Sequence, residues 1–363
     1  MTSRERVEAA LRHWEPDRTP MFEYVLLSPL ADTLLGRPYA DWQVDATAWN
    51  RRVEEHGWEQ TVRQSATDRL DLAALLGHDM LYVTPNPPPP RAPTARPGPA
   101  SAPPIPADPV ERVRLRTEQA APEPTGPAEE QLLLYVLLKE EMERRGVDLP
   151  LLAPAYTHGV WADVDLMQTM VLEPEVAHAH FALATRRALT SVEGYLRLGI
   201  DQFGIGGDFA GNRPLISPQA YREFIVPEVR QVSRQIHEAG GWAVNASDGD
   251  LWPVLDDFLI GCEVDGYLEI DMHAGMDLRR LKEAYGSRVT FYGDMDCGTI
   301  LSFASPAEVR RVTRDILEAG AGGGGHIFCA SNAVTASVPL ANYLAMVDAY
   351  REAFGLAPIA LEH

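Results

Sequence analysis

Short apolar segments alternate with helical segments along most of the chain, and this alternation most restricts the fold. Segments with strand character lie at 19–25, 78–83, 149–156, 202–206, 242–244, 266–270, 289–292 and 326–329. Helical sequence follows each of them, often opened by a capping pair such as Ser217-Pro218 or Ser305-Pro306. Eight strand–helix units in a row are the pattern of a (β/α)8 barrel, and an open doubly wound sheet is the alternative. No GxGxxG motif opens a helix after a strand, which favours the barrel.

The whole chain, residues 1–363, is expected to form one such α/β domain, a TIM barrel, because this fold accommodates that length. Ser3 is expected to cap an N-terminal helix that runs to about Trp14 and precedes the first strand as a helical extension. Prolines accumulate between residues 85 and 127. We expect this proline-rich insertion to form no regular helix or central strand and to be mobile or lid-like.

The composition excludes several classes of function. A net charge of −20 argues against a nucleic-acid partner or an anionic membrane surface. No apolar run approaches the length of a membrane span. The three cysteines have no CxxC spacing, so neither a disulfide framework nor a zinc ribbon is indicated. These features together predict a cytoplasmic protein.

Polar residues at the ends of the strands are the candidate site, because the loops after strand C-termini carry the chemistry in barrels of this kind. The stretch GGWAVNASDGDLW, residues 240–252, shows the pattern most clearly, with an acidic loop directly after a short apolar strand. The candidate catalytic residues are Asp208, Asp248 and His158. The candidate substrate-binding residues are Glu23, Tyr156, Asn245, Glu269, Asp271, Asp294, Asp296 and Asn332.

Several carboxylates in one barrel mouth raise one another's pKa values and supply a neutral acid near pH 7. The same carboxylates can instead bind a hard cation such as Mg²⁺, or satisfy backbone amides as helix caps. His158 is as consistent with a structural histidine as with a catalytic one. Asp208 has a stronger functional signal, because Gly206 and Gly207 allow close approach of backbone and substrate there.

A set of motifs spread over nearly the whole chain resembles the uroporphyrinogen decarboxylase superfamily, which includes corrinoid-linked methyltransferases. The motifs are SRERV with EPDRTP at residues 3–20, SPQAYREF at 217–224, SDGDLWP at 247–253, AGMD at 274–277, GDMD at 293–296, SPAEV at 305–309, and Val338-Pro339 with Asn342. The resemblance implies a (β/α)8 barrel with its pocket at the strand C-termini. It also implies an enzyme acting on a small-molecule substrate.

The sequence departs from the decarboxylases of this superfamily at two places. Their arginine-rich RQAGR segment after the first strand is replaced here by Phe22-Glu23-Tyr24, and Asn86 stands where their essential aspartate is expected. An octa-acid substrate needs cations, so uroporphyrinogen itself is not expected to be the substrate. We expect decarboxylation, or a related C–C or C–X cleavage, of a small organic compound by acid–base chemistry.

The thiol methyltransferases of the superfamily bind zinc through an HxC motif and a late cysteine. No His or Cys lies between residues 240 and 253, and Asn332 stands where the late cysteine is expected, so we predict neither zinc nor any other cofactor. Cys329 is interpreted as a small packed residue. Methyl transfer with a separate corrinoid protein, and a barrel that only binds its ligand, are the alternatives. A homodimer is compatible with the sequence.

Overall fold

A computed structural model describes residues 1–27, 29–39, 41–90, 105–120 and 126–361 of the chain. Seven parallel strands form one sheet in which each strand pairs with the next strand along the chain. The strands are β1 (Leu81–Tyr82), β2 (Leu151–Pro154), β3 (Gln202–Gly206), β4 (Trp242–Ala246), β5 (Gly266–Leu268), β6 (Thr290–Tyr292) and β7 (His326–Ile327). This order is that of a barrel opened at one seam.

The segment around Met21 closes that seam. Met21 forms a parallel bridge to Phe328, and the Phe22 amide donates a hydrogen bond of 3.1 Å to the Phe328 carbonyl. On its other edge, the Met21 carbonyl accepts a hydrogen bond of 2.7 Å from the amide of Asp79, just before β1. The segment therefore occupies the position of an eighth strand, and the predicted (β/α)8 class is confirmed.

Helices separate the strands along the chain. They are α1 (Ser3–Leu11), α2 (Leu30–Leu35), α3 (Ala46–His56), α4 (Trp58–Leu76), α5 (Pro109–Glu118), α6 (Leu133–Arg145), α7 (Val164–Leu172), α8 (Pro174–Arg197), α9 (Pro218–Ala220), α10 (Val226–Glu238), α11 (Leu278–Tyr285), α12 (Ile300–Phe303), α13 (Pro306–Gly320) and α14 (Leu340–Ala353). Short π-helical segments at Tyr221–Ile225 and Asp257–Gly261 precede α10 and β5. Within the described residues, no helix combines the length and apolarity that a membrane span requires.

The core has two layers. One fills the barrel interior and contains side chains that alternate along the strands. Its members include Phe22, Met80, Leu152, Val244, Leu268, Tyr292, Ile327 and Cys329. The other layer is larger and lies between the sheet and the surrounding helices. The interior layer matters for function because side chains that follow it upward reach the barrel mouth.

The N-terminal helix α1 covers the amino end of the barrel. Its Val7, Ala10 and Leu11 side chains belong to the interior layer. The predicted cap at Ser3 is wrong by one residue, because Thr2 is the N-cap and forms a capping box with Glu5. The helix ends at Leu11 rather than near Trp14.

The proline-rich insertion contains an ordered helix. The prediction that it forms no regular helix is wrong for α5, which begins after the N-cap Asp108 and buries Val110 and Val113. Helix α5 packs on α7 and α8. Residues 91–104 and 121–125 lie outside the described part of the chain, so the expected mobility and lid function stay predictions.

Candidate active site

Three acidic side chains come together where the ends of three neighbouring strands meet. Asp208 follows β3, Asp248 follows β4 and Glu269 follows β5. One carboxylate oxygen from each lies within 4.8 Å of the other two, and among the described residues this is the single group of three or more such side chains this close. Asp271 is near enough for its charge to act on Asp248. The structure therefore brings Asp208, Asp248 and Glu269, three of the predicted site residues, together at the strand ends.

Hydrogen bonds fix Asp208 and Asp248 relative to each other. The amide of Asp248 donates to Asp208 Oδ1 at 3.0 Å, so the two loops after β3 and β4 are joined. Asn332 Nδ2 donates to Asp248 Oδ2 at 2.8 Å. This contact assigns Asn332 to the site as the residue that orients Asp248.

Burial and mutual repulsion favour the protonated forms of these acids. Burial, followed by the charges of Asp208 and Asp271, raises the pKa of Asp248 to about 7, although the hydrogen bond from Asn332 opposes the rise. Burial also raises the pKa of Asp208. The pKa of Glu269 lies well above its usual range because of burial and the charges of Asp208 and Asp248. These shifts all favour a protonated acid within the cluster near neutral pH.

The backbone of Glu269 has a left-handed conformation, with φ of 72°. For a residue with a side chain this costs on the order of 1–2 kcal/mol, and such residues concentrate at functional sites. The surrounding barrel compensates this cost and holds the Glu269 carboxylate against its two neighbours.

Two tyrosines outside the predicted set of site residues line the same region. Burial and the charge of nearby Glu269 raise the pKa values of the Tyr24 and Tyr82 hydroxyls, and the two rings are 4.4 Å apart. Both follow interior side chains at a spacing of two residues, Phe22 before Tyr24 and Met80 before Tyr82. That alternation is the signal from which they could have been predicted.

The glycines before Asp208 are required by protein neighbours. Gly206 and Gly207 have φ of 107° and 116°. A Cβ atom on Gly206 would lie 1.8 Å from Asn245 Oδ1, and one on Gly207 would lie 2.6 Å from Thr157 Oγ1. The close approach that these glycines predict is made here by the side chains of Asn245 and Thr157.

His158, Tyr156 and Asn245 lie apart from the three carboxylates. His158 Nδ1 accepts a hydrogen bond of 3.3 Å from the amide of Val160, and burial lowers the pKa of its imidazole to about 4 despite a contact with Gly207. A neutral, buried imidazole with these partners favours the structural interpretation over a role as general acid. The catalytic role of His158 remains an untested prediction.

Tyr156 and Asn245 belong to the layer outside the barrel. Asn245 Nδ2 donates to the Phe258 carbonyl at 3.1 Å, and the side chain is fully buried. Tyr156 packs in the outer core, where burial raises the pKa of its hydroxyl and Thr185 of α8 is a neighbour. Neither position fits direct contact with a substrate in the barrel mouth.

Two further acids are buried separately. Burial raises the pKa of Glu23 to about 8, with contacts to the Ala330 amide and Tyr343 opposing the rise. Glu23 is adjacent to the interior residue Phe22 and therefore points to the opposite side of its strand. Burial raises the pKa of Asp294 to about 7, and its Oδ1 atom has no hydrogen-bond partner among the described residues.

Other acids of the strand-end loops satisfy backbone amides, as the alternative interpretation proposed. Asp271 accepts from the amides of His273 and Ala274. Asp296 accepts from the amides of Thr299 and Ile300 and pairs with His273 at 2.9 Å. Burial by itself would raise the pKa of Asp296, but these contacts outweigh it and lower the pKa.

Asn86 and Cys329 also have structural environments. Asn86 Oδ1 accepts from the Leu134 amide at the start of α6, and its Nδ2 donates to two backbone carbonyls. Cys329 is fully buried in the interior layer.

The three-acid cluster offers only carboxylate oxygens as metal ligands. A thiol-activating zinc site needs Cys and His ligands, so the cluster does not fit such a site.

A closed parallel barrel with a buried acid cluster at the carboxyl ends of its strands defines the general class of α/β-barrel proteins with an enzyme-like mouth. Comparison with protein families narrows this class. Residues 163–353 match the family model described as uroporphyrinogen decarboxylase (URO-D). The chain belongs to this family.

Individual relatives are distant. The uroporphyrinogen decarboxylase of Coxiella burnetii is 23% identical over 183 residues, which cover 49% of this chain and 47% of that protein. The chain thus spans about half the length of the decarboxylases it matches. A solved structure described as a methyltransferase from Methanosarcina mazei superposes with a TM-score of 0.67 at 17% identity, covering 98% of this chain and 99% of the other. The structural likeness supports the fold.

Proposed function

We propose that this protein is an enzyme that decarboxylates a small organic acid, or cleaves a related C–C or C–X bond, by acid–base chemistry in the barrel mouth. The observation that carries the proposal is the group formed by Asp208, Asp248 and Glu269, with three carboxylate oxygens within 4.8 Å of one another. In the described part of the chain, burial and the neighbouring carboxylates are the main influences that raise the three pKa values, and no lysine or arginine is among the groups that oppose them. Protons must offset the repulsion between the carboxylates instead.

The proton held by the cluster is the reagent in this proposal. When the C–C bond to the substrate carboxylate breaks, CO2 leaves and the bonding electron pair remains on carbon. The carboxylic acid of Asp248 donates its proton to that carbon, forming a C–H bond and leaving Asp248 as carboxylate. A proton from solvent then restores the acid. A pKa near 7 suits this cycle, since the group both gives and regains its proton near neutrality.

Asn332 and Asp208 have positioning roles in this scheme. Asn332 donates to Oδ2 of Asp248 and so fixes the orientation of its carboxyl group. Asp208 joins the loops through the Asp248 amide and raises the Asp248 pKa by its charge. Tyr24 and Tyr82 supply an aromatic wall next to Glu269.

Uroporphyrinogen remains an unfavoured substrate. The described residues around the cluster provide carboxylates, an amide and phenols, and a substrate with eight carboxylates requires cations there. Asn86, at the position expected for the essential aspartate, is occupied in capping α6. A substrate with one carboxylate on an electron-rich carbon fits the cluster better.

The test uses a pair of matched substitutions in one loop. Asp248→Asn keeps the shape of the side chain and removes the titrating proton. Asp250→Asn is the control, because Asp250 accepts from the Trp252 amide as a cap and asparagine caps about as well. A panel of small carboxylic acids is screened for release of CO2 and, in D2O, for one deuterium on the carbon that carried the carboxylate.

We expect Asp248→Asn to lower turnover by at least about a hundredfold, as for a general acid, while Asp250→Asn retains activity. The melting temperature of Asp248→Asn should change by only a few degrees. If the wild type is active and Asp248→Asn has the same turnover, another residue must be the proton donor. Absence of CO2 release over the whole panel would contradict decarboxylation.

Methyl transfer involving a separate corrinoid protein is the second candidate. Its support is the methyltransferase that shares this fold over nearly the full chain. The observed donor set counts against transfer to a zinc-activated thiol, because it consists of carboxylates. Incubation with methylcobalamin and a thiol tests this candidate, since transfer of the methyl group to sulfur would leave cob(I)alamin, which is followed by its absorbance. We expect no enzyme-dependent change.

A further inference from the structure

A cavity separate from the candidate active site lies outside the barrel, between α3 and the first turns of α4. Its volume is about 600 Å³, within the range of sites for small metabolites. Three arginines line it, Arg37 from the loop before α3 and Arg51 and Arg52 from α3 itself. This is unexpected in a chain with 52 acidic and 32 basic residues. The cavity therefore differs in charge from the acid cluster of the barrel mouth.

Two of the three arginines are available to a ligand. Arg37 is neutralised, because it forms ion pairs with Asp68 at 2.8 Å and with Asp71 of α4. Arg51 and Arg52 have no carboxylate within ion-pair distance in the described part of the chain. Arg52 Nη2 donates to the Pro38 carbonyl at 2.8 Å, which holds its guanidinium at the cavity wall.

The remaining lining residues are suited to hydrogen bonding. Gln60 contributes a side-chain amide, whereas the Thr61 hydroxyl donates to the Gly57 carbonyl at 2.9 Å. Glu55 is the one acidic residue among those that line the cavity. Guanidinium groups bind carboxylate and phosphate oxygens through paired N–H donors. The net positive charge of the lining and the size of the cavity together specify a compact anion rather than an extended polyanion.

The cavity lies on the side of the barrel where the strands end. The indole of Trp58, at the start of α4, donates a hydrogen bond of 2.8 Å to the carbonyl of Pro87, which follows β1. Gln60 and Thr61 are in the same first turn of α4. A ligand bound here would therefore sit on the same end of the molecule as the candidate active site, but outside the barrel.

We propose that this cavity binds a small organic anion through a phosphate or carboxylate group held by Arg51 and Arg52. The proposal does not depend on the reaction proposed for the barrel mouth. Inorganic phosphate and succinate are the two probes, because they separate a phosphate ester from a dicarboxylate as the source of the anion. Binding to the full chain is measured by calorimetric titration at constant ionic strength.

The charge-matched control is a second pair of neighbouring arginines. Arg186 and Arg187 of α8 are exposed, and Arg186→Gln/Arg187→Gln removes the same two charges as Arg51→Gln/Arg52→Gln at a site without this cavity. Arg51→Gln alone is a second variant, because it leaves the hydrogen bond from Arg52 to the Pro38 carbonyl in place. Weaker binding in this variant would therefore not be caused by loosening of the loop at Pro38.

We expect saturable binding of at least one probe to the wild-type protein. The dissociation constant should rise by about tenfold or more in Arg51→Gln/Arg52→Gln, and also clearly in Arg51→Gln, since each change removes charge-assisted hydrogen bonds. The Arg186→Gln/Arg187→Gln protein should bind as the wild type does. No saturable binding of either probe, or an equal loss in the control pair, would overturn the proposal.

Discussion

At the scale of single residues, one buried carboxylate links the N-terminal helix to the barrel. Asp79, which is fully buried, accepts from Arg6 Nη1 at 2.6 Å and from Arg18 Nη1 at 2.6 Å. It also accepts from the amide of Met21 at 3.0 Å, within the segment that closes the barrel. Asp79 thus shares Arg6 with Asp17 and is the carboxylate partner of the largely buried Arg18, so removing the acid would leave Arg18 without an ion pair in the described part of the chain.

We expect Asp79→Asn to destabilise the fold by roughly 3–5 kcal/mol, the usual cost of breaking a buried ion pair. Asp17→Asn is the matched control, because Asp17 pairs with the same Arg6 but its side chain is 44% exposed. The control should cost only about 0–1 kcal/mol. Urea unfolding of both variants measures the difference. Similar small losses would show that Arg6 and Arg18 find other partners.

The sequence predicts which residues lie at strand ends, but not reliably which side of the sheet they face. Asp208, Asp248 and Glu269 came together as expected. Asn245 is on β4 between the interior residues Val244 and Ala246, and so it faces the helices. Both faces of a strand in this barrel are apolar, so the composition of the strand gives no sign of the register.

At the scale of secondary structure, helix α5 shows how composition can hide a helix. Prolines dominate the insertion, yet Asp108 accepts from the amide of Val110 and Pro109 occupies the first turn, where proline is tolerated. Val110 and Val113 are three residues apart and both are buried. These local signals predict a helix more accurately than the average composition of the segment does.

Helix α5 is also bound to its neighbours by charge. Arg112 pairs with Asp165 of α7 through two hydrogen bonds of 2.7 and 2.6 Å, and Arg116 pairs with Asp163. These ion pairs are partly exposed and therefore individually weak. The burial of Val113 is the stronger contribution, because its side chain is fully removed from solvent.

Val113→Ala is expected to cost about 1–3 kcal/mol through lost burial and the cavity it leaves. Arg114→Ala, one position along the helix, removes a partly exposed side chain with an ion pair of 3.5 Å and should stay within about 0.5 kcal/mol of wild type. Denaturant unfolding gives both values, and hydrogen exchange localises the effect to α5. A neutral Val113→Ala would mean that α5 is not part of the cooperative unit.

At the scale of the whole molecule, buried ionisable groups set the pH dependence of stability. Burial lowers the pKa of His78 to about 3 and that of His158 and His326 to about 4. The unfolded chain takes up protons at these positions below about pH 6.5, so stability falls as the solution becomes acidic. Carboxylates with lowered pKa values beside arginines, such as Asp148 and Asp165, add to this loss at lower pH.

The buried acids act in the opposite direction, over the interval between their pKa values in the unfolded chain and their raised pKa values in the folded protein. The pKa of Glu23 is raised to about 8, so the folded protein keeps this proton where the unfolded chain has lost it. Stability therefore falls as pH rises from the usual glutamate pKa to about 8 and levels off above that, and for this one group the fall between pH 7.0 and 8.5 is about 1 kcal/mol. Glu269 adds to the slope in the same direction. Because these opposing effects overlap, maximum stability is expected between about pH 5 and 8.

Glu23→Gln isolates the contribution of this residue. Glutamine is neutral and of the same size, and the unfolded variant gains nothing by ionising at this position. The variant should therefore be more stable than the wild type at pH 7.0, and the difference should widen by about 1 kcal/mol by pH 8.5. Glu308→Gln is the control, because Glu308 lies exposed at the start of α13 and Arg311 lowers its pKa, which leaves it ionised in both states over this range. The urea midpoints at pH 7.0 and 8.5 measure the slopes of the three proteins. If Glu23→Gln kept the full wild-type slope, Glu23 would be ionised in the folded protein, and an uncompensated charge would have to find a partner beside Tyr343 and the Ala330 amide.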